Sequence, residues 1–440
     1  MSATGEGGAM SPTGDMIGCD AAWLRAEIVR AGELMRQGSL DAADAVLTQA
    51  LVQAPGDADA LYLRGVIANR RRDHGTAIAI LRQAIAARPA ATLAWLALGN
   101  AYARSEQLAA AVDAYREVLA REPKWPDAHY NLGLMLKQQG ELPDAARAFH
   151  AAWILEPSLP EAAKQCVATT AAWVRADSAA PVVARVDFGS VRASFSIVIC
   201  SIDETKLERV VARYRNLFAG VDHEIVSIRN ARSLAESYNW AVRHSSSDII
   251  VLSHDDVDIL APNFAQRLSR HLRRFDAVGI VGGVRMTGPA PLWSGHPHLR
   301  GWVTHRLPGD PVWRADVLDP RAVAGDVVVL DGVFLAAHRA VFTAVPFDAQ
   351  AFDGFHLYDA DWSYRASQKG FRLGTAGDLL LVHESRGRYD ERWQRYADRF
   401  CAKHALGQVF PPTQGPFYQA TFDNADQVRA FYARLTELQN

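Results

Sequence analysis

Over the first third of the chain, apolar positions return every 34 residues. Ala43, Ala77, Ala111 and Ala145 recur in phase, and Leu47, Leu81, Tyr115 and Phe149 each follow four residues later on the same helical face. Gly65, Gly99 and Gly133 keep the same step, and Pro55, Pro89, Pro123 and Pro157 punctuate it. The pattern predicts two antiparallel helices per unit: glycine allows close approach, large residues fill the seam, and proline stops the second helix. A further helix from Pro160 to about Arg175 caps the open end of the stack.

The segments LALGNAY (96–102) and NLGLMLKQQGELPDAARAF (131–149) resemble the tetratricopeptide family, over residues 24–159. The resemblance implies a solenoid whose concave groove holds a peptide or a protein partner. A scaffold that only spaces is the other use of the same shape.

After Ala171 the period stops, and ADSAAPVVARVDFGS predicts a linker over 176–192. Beyond it, short β-branched runs alternate with helical ones: SFSIVICSI (194–202), KLERVVARYRNLFAG, HEIVSIRN, SLAESYNWAVRHS (233–245) and DIIVLS (248–253). That alternation predicts a layered α/β domain on a mainly parallel sheet. VVVLDGVFLAAHRAVF (327–342) reads as a strand containing Asp331 and Gly332, and DLLLVHES (378–385) as a strand delivering His383. Residues 286–326, rich in Pro, Gly and His with Trp293, Trp302 and Trp313, lack a period and read as one long loop. Its indoles either stack on an acceptor sugar or plug the core. The expected plan is a flexible tail (1–20), four repeats with a capping helix (21–175), the linker (176–192), the α/β domain (193–410) and a C-terminal extension helix (411–440).

Composition narrows the class. With 49% apolar and 22% charged residues the chain is globular, and 47 Lys plus Arg against 49 Asp plus Glu give no basic field for nucleic acid. Cys19, Cys166, Cys200 and Cys401 are scattered, which fits a reducing compartment rather than disulfides or a zinc knuckle. No apolar run approaches the roughly 18 residues that cross a bilayer, and the first twenty read as a tail, not a signal peptide. The expectation is a cytoplasmic protein that can act at the inner membrane surface.

Asp255, Asp256 and Asp258 follow the apolar run 248–253. In open α/β sheets ligands bind beyond the carboxyl ends of strands, and clustered carboxylates there suit a hard divalent cation. Asp after a strand is also an ordinary turn former. Asp359 and Asp361 head an amphipathic helix, where acids also cap.

VLSHDDV, VLDGVFL, FDGFHLYDADWS and VHES, in this order, resemble GT-A glycosyltransferases of family 2 in the broad sense, in a bacterial branch with an HxDV element, here His254–Val257. The resemblance covers roughly residues 194–390. It implies an inverting transferase that moves a sugar from a nucleoside diphosphate to a glycan, lipid-linked or protein acceptor. It makes Asp256, assisted by Asp255, and His383 the ligands of Mn or Mg, with His254 standing where the family has its first acid. A surface histidine paired with Glu384 is the plain alternative for His383, and Ser385, Arg386 and Gly387 begin an expected mobile loop. Asp359 matches the catalytic base, with Asp361 beside it. Ser201, Asp203, Arg229, Asn230, Asn239 and Asp255 are implied at the nucleotide, and Asp331 with Gly332 at a sugar hydroxyl. The competing function is a non-catalytic adaptor that binds a sugar nucleotide. A nucleotidyltransferase would want a Gly-rich loop near residue 200, and SIDETK has none.

Overall fold

The computed structural model describes residues 21–177, 191–385, 389–406 and 418–439. The expected tail, most of the linker and part of the expected mobile loop lie outside the described residues. The chain divides into two compact bodies between Gln139 and Gly140.

The first body is a stack of paired helices: α1 (Ala21–Arg36), α2 (Leu40–Gln53), α3 (Ala58–Arg70), α4 (His74–Ala87), α5 (Thr92–Arg104), α6 (Leu108–Arg121) and α7 (Pro126–Gln138). The repeated alanines and their large partners form its seams, with Ala43, Leu47, Ala77, Leu81 and Ala111 fully buried. Pro55, Pro89 and Pro123 each sit two residues past a helix end. Glycine is required in the seam: a Cβ on Gly65 would lie 2.6 Å from the Leu81 side chain, and one on Gly99 2.8 Å from the Tyr115 ring. Asp57 and Asp73 cap α3 and α4 by accepting from the Ala60 and Thr76 amides.

The second body begins inside the fourth repeat, with α8 (Leu142–Leu155) and α9 (Pro160–Ala176). Their packing explains why. Trp153 meets Tyr418 edge-on at 5.3 Å, and His150 bonds the Pro320 carbonyl at 3.1 Å. The Arg434 guanidinium lies 4.1 Å over Trp173 and reaches Asp177 at 3.1 Å.

The chain then runs through β1 (Phe195–Ser201), α10 (Glu204–Leu217), β2 (His223–Arg229), α11 (Leu234–His244), β3 (Ile249–Ser253), β4 (Val257–Ile259) and α12 (Phe264–Leu272). Next come β5 (Ala277–Gly279), β6 (Val281–Gly283), β7 (Leu299–His305), β8 (Trp313–Val317), β9 (Val323–Val327), β10 (Val329–Leu330), β11 (Phe334–His338) and α13 (Arg339–Ala344). The last elements are α14 (Tyr358–Gln368), β12 (Leu373–Ala376), β13 (Leu381–His383), α15 (Glu391–Lys403), β14 (Tyr418–Phe422) and α16 (Ala425–Glu437). The main sheet has the order β2-β1-β3-β11-β5-β12-β9. Successive residues of its strands feed opposite cores: Val198, Ile250, Leu252 and Leu335 on one face, Ile197, Ile199, Val251 and Phe334 on the other. Both faces are therefore covered, which accounts for the uninterrupted apolar runs.

Four details differ from the sequence expectation. The sheet is mixed, because β11 runs antiparallel to both β3 and β5 while β1–β2, β1–β3 and β5–β12 are parallel. The run 327–342 is not one strand: β10 pairs with β6 in a second sheet, the chain breaks at Asp331–Gly332, and β11 joins the main sheet. Residues 286–326 are not a loop but hold β7, β8 and the start of β9. There Trp302 is 1% exposed and stacks on Tyr432, and Trp313 is 8% exposed, so both fill the core. The C-terminal extension adds β14, paired antiparallel to β8, besides its helix.

Candidate active site

The parallel register of β1, β2 and β3 brings Ser201, Arg229 and the chain after Ser253 to one edge of the sheet. Ser201 Oγ donates to Asp255 Oδ2 at 2.5 Å, tying the ends of β1 and β3 together. Asp203 caps α10 through the Lys206 amide, and Arg229 closes a two-bonded ion pair on Glu204 at 2.9 and 2.6 Å. Asn230 turns the chain after β2 in the left-handed region, φ 55°.

In the turn between β3 and β4, His254 and Asp256 gather on one side while Asp255 turns to Ser201. β13 runs antiparallel to β4 with His383 opposite Val257, and the Glu384 amide bonds the Asp256 carbonyl at 2.9 Å. His383 Nε2 thus stands 3.4 Å, and His254 Nδ1 3.9 Å, from Asp256 Oδ1. Glu384 pairs with Arg209 at 2.6 Å instead of with the histidine. The ligand atoms of His254, Asp256 and His383 all lie within 4.8 Å of one another. Asp256 Oδ1 is buried and, among the described residues, has no hydrogen bond of normal alignment. Burial lowers the His254 pKa, with the charge of His383 adding to it, so its ring holds a free lone pair. Burial alone would raise Asp256, but the His383 and His254 rings and Ser385 outweigh it and keep the carboxyl ionised. An orphaned buried carboxylate oxygen between two imidazoles fits a divalent cation. Asp255, expected beside Asp256 as a ligand, is bonded to Ser201, and His254 stands with Asp256 and His383 in the group.

The second group of acids meets this one through Tyr358. Its hydroxyl is 3.3 Å from His254 Nε2 and donates to the Gly332 carbonyl at 3.4 Å. The His254 amide bonds the Val333 carbonyl at 3.2 Å, so the break between β10 and β11 is stitched to the end of β3. Gly332 abuts Asp359: a Cβ there would lie 2.7 Å from the Asp359 Cβ. Asp331 folds back to accept from the Val333 amide at 3.0 Å. Burial pushes the Asp359 carboxyl up to about 7, with the charge of Asp331 adding to it and the Ala360 and Gly332 amides opposing.

Two expected site residues serve the fold instead. Asp361 is 0% exposed, and its carboxylate is filled by Arg365 at 2.7 Å, Lys403 at 2.6 Å and His404 at 2.9 Å, which anchors α14 to α15. The Asn239 amide group brackets the Phe347 peptide, donating to its carbonyl at 2.8 Å and accepting from its N–H at 2.9 Å. Polar residues on helices read alike in sequence whether they face a ligand or a neighbouring backbone. Sequence reasoning named His254 only as standing where the family has its first acid, not as a ligand, and passed over Tyr358. The His-x-Asp pair, set in the turn that follows β3, carried the signal for the first.

Comparison with known proteins agrees with both halves. Residues 196–404 match the family described as "Glycosyltransferase like family". Residues 99–140 match one described as "TPR repeat", and 29–92 one described as "Tetratricopeptide repeat". No curated protein matches the chain. Among solved structures it is similar to MamA from Desulfovibrio magneticus RS-1, at 21% identity over 35% of this chain and 85% of that one, TM-score 0.33. It is also similar to pilF of Pseudomonas aeruginosa, at 19% identity over 34% and 69%, TM-score 0.32. YrrB, titled a TPR protein with an unusual peptide-binding site, matches at 21% identity over 34% and 78%, TM-score 0.32. The family models give tetratricopeptide repeats followed by a glycosyltransferase-like domain. Among the described residues no helix is long and apolar enough to cross a membrane.

Proposed function

We propose that the second body is an inverting glycosyltransferase of the HxDV branch, taking a sugar from a nucleoside diphosphate, and that the repeats recruit the acceptor or a protein partner. The observation that carries this reading is the convergence of the half-buried carboxylate of Asp359 with the His254–Asp256–His383 trio through Tyr358 and Gly332.

Asp359 accepts the proton of the acceptor hydroxyl while that oxygen attacks the anomeric carbon, and direct displacement inverts the configuration. A base whose pKa lies near 7 is poised for this at neutral pH. Asp331 orients a sugar hydroxyl next to it. His254, Asp256 and His383 would hold a divalent cation, and two imidazole ligands would favour Mn over Mg. Bound there, the cation would supply positive charge opposite the leaving diphosphate. Ser201, Asp203, Asp255, Arg229 and Asn230, at the ends of β1, β2 and β3, frame the nucleotide. We place this activity in the cytoplasm, at the inner membrane surface where the acceptor is lipid-linked.

The test is transfer or hydrolysis of a panel of UDP-, GDP- and dTDP-sugars with Mn²⁺. Asp359→Asn should lower turnover about 10²–10⁴-fold while a donor-induced rise in unfolding temperature persists. Undiminished turnover in that variant would remove Asp359 from the chemistry.

A further inference from the structure

The two ring nitrogens of His254 have different neighbours. Nδ1 stands 3.9 Å from Asp256 Oδ1, whereas Nε2 lies 3.3 Å from the Tyr358 hydroxyl. A neutral imidazole carries one proton, so one nitrogen donates and only the other keeps a lone pair for a cation. The hydrogen bond made by the first nitrogen decides which is which.

Tyr358 has one proton to give, and two acceptors compete for it: His254 Nε2 and the Gly332 carbonyl at 3.4 Å. The carbonyl can only accept. It belongs to a buried residue, and among the described residues no other donor is bonded to it. Tyr238, whose side chain also bonds Tyr358, carries a proton of its own. Every group is met when Tyr358 donates to Gly332 and its oxygen accepts from Nε2–H of His254. The reverse assignment leaves the buried carbonyl unmet and moves the imidazole proton to Nδ1, where 3.9 Å is too far for a hydrogen bond with Asp256.

The tyrosine is fixed in place for this. It is 3% exposed, Tyr238 meets its ring edge-on at 5.6 Å, and Phe347 packs against it at 5.9 Å. A Cβ on Gly332 would lie 2.7 Å from the hydroxyl, so glycine there gives the ring access to both partners. The His254 backbone is tied to the same segment through its amide and the Val333 carbonyl, at 3.2 Å. We propose that Tyr358 is a positioning residue that holds His254 as the Nε2–H tautomer and so keeps the Nδ1 lone pair for the cation. The inference rests on reading His254, Asp256 and His383 as cation ligands.

The test compares the native full chain with Tyr358→Phe, which keeps the ring and removes the hydroxyl. Nitrogen-15 imidazole spectra of the metal-free proteins at pH 8, with His254 assigned through His254→Gln, read the tautomer directly. The native chain should show His254 with Nε2 protonated and Nδ1 bare, and in Tyr358→Phe the Nδ1-protonated share should rise. Calorimetric titration should give an Mn²⁺ affinity at least roughly tenfold weaker in Tyr358→Phe. A native His254 protonated at Nδ1 overturns the inference, and this measurement stands even if the variant fails to fold. Weaker Mn²⁺ binding with unmoved nitrogen shifts would reduce Tyr358 to a structural role, which also overturns it. Mn²⁺ bound equally by both proteins removes Tyr358 and leaves the cation site intact. An Nε2–H tautomer that depends on Tyr358, in a native chain that binds no Mn²⁺, upholds the tautomer assignment and defeats the cation reading instead.

Discussion

The ionisation of Asp359 bears on stability as well as on the proposed chemistry. Its folded pKa of about 7 is raised from 3.8, first by burial and then by Asp331. A carboxyl raised in this direction binds its proton more tightly when folded, so the chain loses stability as pH rises from about 4 to 7. Asp359→Asn removes that ionisation. The variant should be more stable than the native chain at pH 8, by on the order of 2 kcal/mol, and equal to it at pH 4. Urea unfolding at the two pH values measures the difference; a variant less stable at pH 8 would mean the carboxylate is better solvated than its surroundings suggest. The roles proposed for Asp256, His383 and Asp359 were readable as expectations from four short motifs in order. Those of Asp361 and Asn239 were not, because a buried carboxylate facing Lys403 and one facing a substrate are the same letter in sequence.

At the scale of elements, α14 matters most, since its first turn carries both Tyr358 and Asp359. The helix is fixed at its start by Tyr358 against Gly332 and along its side by Asp361 against Arg365, Lys403 and His404. Although burial pushes the Asp361 pKa up, His404, Lys403 and Arg365 more than reverse it, so this carboxylate adds stability above its unfolded pKa that is lost as pH falls. Asp361→Ala leaves the half-buried Arg365 and Lys403 with one charge partner fewer and His404 Nε2 without its carboxylate, and should cost about 3 kcal/mol. Thermal unfolding at pH 7 checks the loss, and a drop in turnover without a change in donor affinity would mark it as a positioning residue. Strands of the main sheet were legible because both their faces are buried and their apolar runs unbroken. β7 and β8 were hidden by Pro, Gly and polar residues in a smaller sheet, and β14 was missed although its burial alternates strictly.

At the scale of the whole molecule, the 34-residue period foretold the helical stack but not where a compact body ends. α8 obeys the repeat in sequence, yet its Trp153 and His150 pack on Tyr418 and Pro320, and α9 offers Trp173 to Arg434. Such contacts join residues some 170 to 270 positions apart and leave no periodic trace. Compared with the full chain, one cut at residue 193 should expose these surfaces and aggregate or unfold. Circular dichroism and size-exclusion chromatography of both distinguish the outcomes, and a stable, monomeric 193–440 fragment would show that α8 and α9 are dispensable.

The claim on which the functional account turns is that His254, Asp256 and His383 hold a divalent cation for a sugar nucleotide. Calorimetric titration of Mn²⁺ into the native chain, His254→Ala and Asp256→Asn, each with and without the donor selected from the panel, tests it directly. The account predicts a single site whose Mn²⁺ affinity falls at least roughly tenfold in either variant, with donor binding weakened in step. Mn²⁺ and donor affinities that are the same in all three proteins would contradict it.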